Sequence, residues 1–212
     1  DSPEMLETLL QTGVSLLDSE QRPAFNSPTG RRASPVWTDF YQEGLLPRQV
    51  VSQCQRRAIE LFQSGDLAMA ATGAEFLRSI QTNAPGVAAV TESHPPVTGA
   101  DGTANVALMT LAVPRQSTKQ ALALQLALFL TDATNQARFA TEARVLPSSV
   151  EALAMVRSQL QQEESRTPQQ DQIRQARLLS AITLERARVL VPALPGIKRL
   201  QKILYTQLQR AM

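Results

Sequence analysis

The residues able to do covalent chemistry are few and badly spaced for it. His94 is the only histidine and sits in the Pro- and Gly-rich stretch HPPVTGADGT. No second His, Cys or carboxylate cluster stands at ligand spacing from it, so neither a metal site nor a general base is expected. Ser148 and Ser149 precede an apolar helical pattern and read as capping residues, since no base lies near them in sequence. Neither common type of Gly-rich phosphate loop is present. The single cysteine, Cys54, cannot form an internal disulfide, and it lies among Gln and Arg on an expected helix. Groups suited to reversible contact remain: Glu75 at the start of an expected helix, and Trp37 with Phe40 and Tyr41. The helical spacing of that aromatic set reads first as core packing, with ligand contact as the second reading. Catalysis and cofactor chemistry are therefore not expected. Binding is.

The elements that must hold these residues follow from punctuation by Gly and Pro. The pivotal stretch is FQSGDLAMAATGAEF, Phe62 to Phe76. Ser64-Gly65 should stop a helix, because Gly65 takes the left-handed cap conformation cheaply. Leu67 to Ala71 is long enough for one buried strand. Thr72-Gly73 breaks it, and a helix to about Gln81 begins near Ala74-Glu75, with Glu75 where a negative charge suits a helix start. Upstream, residues 3 to 13 place Leu6, Leu9 and Leu10 on one helical face before Gly13. Residues 16 to 27 read as a loop. Ser34-Pro35 opens a helix ended by Gly44, and Val50 to Gln63 forms another. Downstream, Gly86 to Val90 is a short β-type run. Val106 to Val113, VALMTLAV, is the best strand of the chain and stops at Pro114. ALALQLALFLTD is apolar nearly all round and reads as a buried helix. A helix from Thr134 to about Ala143 follows, then one with a capping box of Ser148 and Glu151. The remainder is helical, from Thr167-Pro168 to about Val191 and from Ile197 to Met212.

Composition bounds the partners. The 212 residues carry a net charge of +2, with 23.2 kDa and a pI near 9.0, enough chain for one large domain or two small ones. No Lys/Arg run exceeds two residues, so nucleic acid is not an expected partner. No apolar run reaches the roughly 18 residues of a membrane span. No signal peptide is legible, and because the chain opens on Asp1, residues preceding it are expected.

Several phrases in one order resemble the sugar-binding class of ABC-importer solute-binding proteins (family 1, maltose-binding-protein-like). They are Ala24-Phe25-Asn26, the aromatic helix from Ala33 to Tyr41, Gly44-Leu45-Leu46-Pro47, and F-x-x-G-x-x-A-M at Phe62 to Met69. Val106 to Val113 with Arg115 and Ser117, F-L-T-x-x-x-N-Q at Phe129 to Gln136, and the Pro192-to-Pro195 turn continue the series. The resemblance spans the chain yet corresponds only to the second half of such a protein. It implies an α/β, helix-rich fold, the C-terminal part of a periplasmic-binding-protein-like II architecture with two lobes, here incomplete. Residues 1–86 and 148–212 would form the C-terminal lobe, 95–143 would belong to the N-terminal lobe, and 87–94 and 144–147 would be hinge crossings. The implied function is extracytoplasmic capture of a small solute, foremost a carbohydrate, for delivery to ABC permease subunits. A periplasmic location, with lipid anchoring as one form of it, goes with that role.

The implied ligand contacts are Gly73, Ala74, Glu75, Phe76, Leu108, Met109 and Arg199, with no metal and no cofactor. Many relatives carry an aromatic at the place of Glu75 and Gly-Gly-Trp where this chain has Ala107-Leu108-Met109. Glu75 would then accept hydroxyls or pair with a cationic ligand, with helix-start stabilisation as its structural alternative. The missing N-terminal half is an implied partner, because a lone strand at Val106 to Val113 cannot satisfy both backbone edges. A helical scaffold protein that keeps this architecture without a transport ligand is the alternative function.

Overall fold

The computed structural model describes residues 4–20, 22–48 and 55–212. Cys54 and the expected helix start at Val50 lie outside the described residues. The chain divides into two compact units, residues 1–71, 96–106 and 186–212 in the first, and 72–95 and 107–185 in the second.

The first unit holds helices α1 (Glu4–Gln11), α2 (Pro28–Ala33), α3 (Val36–Gln42), α4 (Gln55–Gln63) and α11 (Ile197–Ala211), with strands β1 (Ala104–Asn105) and β2 (Ala187–Arg188). Gly13, Gly44 and Gly65 follow α1, α3 and α4 with φ of +81°, +73° and +80°, the left-handed stops expected from sequence. α2 was not foreseen; Ser27 caps it by accepting from the Gly30 amide. Leu9, Val14 and Ala33 form a buried cluster on which Phe25 and Leu204 pack. β1 and β2 pair in parallel, Ala104 with Ala187 and Asn105 with Arg188. Asn105 is the knot of this unit. Its Nδ2 donates to Glu7 Oε1 at 2.6 Å while its Oδ1 accepts from the Leu190 amide at 3.0 Å. Gly99 lies so close to the end of α1 that a Cβ there would stand 1.8 Å from the Gln11 carbonyl oxygen.

The second unit is built from α5 (Phe76–Asn83), α6 (Pro85–Ala89), α7 (Gln120–Thr131), α8 (Ala133–Ala143), α9 (Val150–Gln162) and α10 (Pro168–Glu185). Its centre is an alanine seam, in which Ala137 and Ala140 of α8 pack against Ala152, Val156 and Leu160 of α9. Small side chains let two helix backbones approach closely and leave little room for change. A second cluster joins Leu77 to Ile173 and Ala176. Gln172 binds α6 to α10, since its Nε2 donates to the carbonyls of Ala88 (2.9 Å) and Thr91 (2.6 Å). Arg174 donates to the Leu160 carbonyl and to Asp171, and this guanidinium holds the Asp171 carboxyl below its ordinary pKa.

The phrase F-L-T-x-x-x-N-Q proves to be a junction. Asp132 caps α8 through the Asn135 amide, and Asn135 Nδ2 reaches back to the Phe129 carbonyl at 2.8 Å. Gln136 donates to the Thr131 carbonyl and accepts from the amides of Ser148 (2.9 Å) and Ser149 (3.1 Å). A Gln136→Ala protein, left with two unmet amides, should lose about 1–2 kcal/mol in denaturant unfolding. Gln136→Glu, which keeps the acceptor, should lose less.

Four expectations are corrected. Leu67 to Ala71 is not a strand but an irregular stretch, with Met69 83% exposed; among the described residues no strand pairs with it. Gly86 to Val90 is largely α6, because Pro85 at its first turn sets a helical φ. Among the described residues Val106 to Val113 forms no ladder, and of its amides only that of Val106 reaches a strand residue, the Arg188 carbonyl. α7 is helical as expected, yet none of its residues is buried. Two details also differ. Ser149, not Ser148, caps α9, and α10 ends at Glu185 rather than near Val191.

Candidate functional site

The expected ligand residues fall at three places. Gly73, Ala74, Glu75 and Phe76 form the entry to α5. That entry is built from short turns, with the amides of Phe76, Leu77 and Arg78 donating to the carbonyls of Gly73, Ala74 and Glu75. Gly73 is exposed with open space about its Cα, and Phe76 is partly exposed. Leu108 and Met109 stand in an irregular stretch of the same unit, largely exposed. Arg199 is an exposed residue of α11 and belongs to the other unit.

Glu75 is the most elaborated of the set. It occupies the N-cap position of α5, but its side chain does not cap the helix. The carboxylate instead faces three guanidiniums, Arg78 Nε at 3.5 Å, Arg144 Nη1 at 3.5 Å and Arg177 Nε at 4.0 Å. Its Oε1 is shielded from solvent and lacks a hydrogen bond among the described residues. Arg144 ends α8 in the left-handed region, φ 56°, a conformation that costs a non-Gly residue about 1 kcal/mol. One negative group thus meets three positive ones drawn from α5, the end of α8, and α10. Such a cluster suits lone-pair acceptors better than a further cation.

Sequence spacing signals only part of this cluster. Arg78 is three residues from Glu75 on one helix and could have been paired with it in advance. Arg144 and Arg177 arrive from other helices, and nothing local announces them. Trp37 is half-buried and meets Phe40 edge-on, ring centres 6.4 Å apart, on a helix none of whose residues is buried. His94 Nε2 lies 3.6 Å from Glu92 Oε2, both exposed. Among the described residues no three His, Cys, Asp or Glu side chains converge as a metal site. Two shallow grooves among the described residues can be compared with these positions. One of about 430 Å³ runs along Gly44 to Pro47 with Arg57, Leu61, Asp66 and Leu67. The other, of about 310 Å³, lies on α9 beside the Arg157–Glu185 ion pair. Neither is lined by the expected ligand residues.

The profile of a family described as bacterial extracellular solute-binding protein matches residues 2–166. Among curated proteins no relative matches. A crystal structure from Synechococcus sp. MITs9220, of a protein named for oligosaccharide periplasmic binding, is 71% identical, with a TM-score of 0.94. The match covers 100% of this chain and 54% of that one. A structure so named from the same organism, in complex with zinc, is also 71% identical, with a TM-score of 0.92 over 100% of this chain and 53% of its own. The chain spans about half the length of these solved relatives. With its helix-rich α/β architecture matched along its whole length and its profile matched over most of it, the chain belongs to the bacterial extracellular solute-binding protein family.

Proposed function

We propose that this chain supplies one half of the substrate-binding component of an ABC importer, that its solute is a carbohydrate, and that it works outside the cytoplasm. The observation that carries the reading is 71% identity along the whole chain to a protein named for oligosaccharide binding. Binding is the whole of its chemistry in this reading, with no catalytic step. Capture closes two lobes about the solute, and permease subunits respond to the closed population. The lobes proposed are residues 1–86 and 148–212 in one and 95–143 in the other, with 87–94 and 144–147 as crossings, a division that differs from the two compact units, where α8 and α9 pack together.

Solute contact is assigned to Gly73, Ala74, Glu75, Phe76, Leu108, Met109 and Arg199. The charge balance around Glu75 favours hydroxyl groups over a cationic ligand. A sugar hydroxyl can donate to the carboxylate and accept from a guanidinium at once. The exposed apolar pair Leu108 and Met109 can cover a pyranose face where an aromatic ring is absent. The scaffold alternative gains nothing from these observations.

The test is a melting-temperature titration of the complete two-lobed protein with a panel of neutral oligosaccharides. A specific solute at a hundred times its Kd should add about 2.7 kcal/mol of stability by mass action. Glu75→Gln should retain the fold and reduce that gain by about 1–2 kcal/mol through the lost charged acceptor. A panel that leaves the melt unmoved at millimolar concentration would refute the carbohydrate assignment.

A further inference from the structure

Two arginines of α10 are held in opposite ways. Arg174 and Arg177 stand three residues apart, and their side chains are almost equally withdrawn from solvent, at 18% and 19% exposure. Arg174 donates to Ser165 Oγ, to Asp171 and to the Leu160 carbonyl. The protein itself fills that fork. Arg177 has instead Glu75 Oε1 at 4.0 Å from its Nε, beyond hydrogen-bond reach. That oxygen is shielded from solvent and has no hydrogen-bond partner among the described residues. Arg78 Nε and Arg144 Nη1 each lie 3.5 Å from Glu75 Oε2, longer than the roughly 2.7–3.2 Å of a well-made hydrogen bond. Charge draws these groups together, but their hydrogen-bonding capacity goes unused. A guanidinium withdrawn from water is costly to keep in that condition. Arg144 adds a second cost, its φ of 56°, where glycine or asparagine sits more cheaply. All four residues belong to the second unit, which therefore sets three guanidiniums around one carboxylate.

Three kinds of ligand group can be weighed against this arrangement. A cation is repelled by the surplus of positive charge. A neutral hydroxyl can bridge the carboxylate and one guanidinium, yet it leaves that surplus unanswered. An anionic oxygen group answers both deficits, the charge and the unused donors. Each guanidinium carries five N–H groups on two edges, and Glu75 faces Nε of Arg78 and Arg177 and Nη1 of Arg144. Further Nη donors on each fork suit the two oxygens of a carboxylate or the three of a phosphate. Resting on the carbohydrate reading above, we propose that the Arg78–Arg144–Arg177 cluster receives an anionic oxygen group of the solute, a carboxylate or a phosphate, so that an acidic saccharide is bound in preference to its neutral parent. Glu75 gathers the three side chains before the solute arrives, which lowers the ordering cost of binding.

The test is a calorimetric titration of the complete two-lobed protein with a panel of disaccharides, each supplied as the neutral sugar, its C6 carboxylate and its C6 phosphate. The acidic form should bind about tenfold or more tighter than its neutral parent, and comparing carboxylate with phosphate tells the two sources apart. The gap should narrow as salt rises toward about 1 M, where the Debye length is about 3 Å. Arg144→Gln and Arg177→Gln should each bring the preference toward parity. Arg144→Lys, which returns the charge without the fork, should restore part of it. Glu75→Gln should widen it, since one fewer negative group opposes the anion. Arg157→Gln, which breaks the pair with Glu185, should leave it unchanged. The melt of each variant without solute separates lost recognition from lost folding. Equal affinity for acidic and neutral forms, or a preference that survives both Arg→Gln changes, would overturn the proposal and leave the carbohydrate reading standing. Succinate bound as tightly as any sugar acid, and weakened by the same changes, would uphold the cluster and count against the carbohydrate reading alone. A panel in which nothing binds would overturn both.

Discussion

A Gly99→Ala protein should melt roughly 10 °C below its parent, the largest shift we expect from any single methyl group in this chain. Its added Cβ would stand 1.8 Å from the Gln11 carbonyl oxygen and 2.7 Å from the carbonyl carbon. Both are backbone atoms at the end of α1, so no side chain can swing aside to make room. Either α1 or the segment carrying Gly99 must move. That segment leads to Asn105, whose amide holds Glu7 and the chain after β2, so a shift propagates into the parallel ladder. Overpacking of this kind costs about 3 kcal/mol, the upper end for a well-packed site. Gly86→Ala supplies the contrast, because its Cβ would meet nothing within 4 Å, and alanine suits a helical position. Calorimetry finding equal melts for the two variants would mean that the close approach at Gln11 is absent.

Ala140→Leu should be nearly as damaging, and its damage should appear in the second unit. Ala140 and Ala152 face each other across the α8–α9 seam at zero exposure. Three further carbons there have no cavity to fill, and prising the helices apart costs about 1–3 kcal/mol. Hydrogen exchange should register this as lost protection along residues 150–162, with Gln172 and its bonds to α6 less affected. Ala154→Leu, on the exposed side of α9, should leave protection unchanged. Equal protection in the Ala140 and Ala154 variants would rule out the seam as the unit's structural centre.

Helix ends were the legible part of this fold. Gly13, Gly44 and Gly65 mark stops that need no knowledge of the rest of the chain, since a left-handed cap is a local demand. Pro168 likewise announces α10. Strands were not legible to the same degree, because a strand is completed by a neighbour. Leu67 to Ala71, Gly86 to Val90 and Val106 to Val113 each look apolar and short, and sequence cannot say whether a pairing edge exists for them. Among the described residues the two-residue strand Ala104–Asn105 found one, through residues far along the chain at Ala187–Arg188. The same limit governs the candidate site. Glu75 could be assigned to a helix start from its surroundings, but Arg144 and Arg177 could not be assigned to Glu75, since long-range packing brings them there. α7 shows the converse. Its apolar surround reads as an interior helix, yet none of its residues is buried, because periodicity reports what a helix face is made of and not what covers it.

The parallel pairing of β1 with β2 has a kinetic corollary. The first unit joins α1 to α11 and Ala104 to Ala187, so during synthesis it cannot close until its most distal segment has left the ribosome. The second unit, whose α8, α9 and α10 are consecutive neighbours, can nucleate from local encounters much earlier. Until closure, α1 must wait with its leucines unsatisfied, which makes the interval before β2 emerges the period when nascent molecules are most in need of a chaperone.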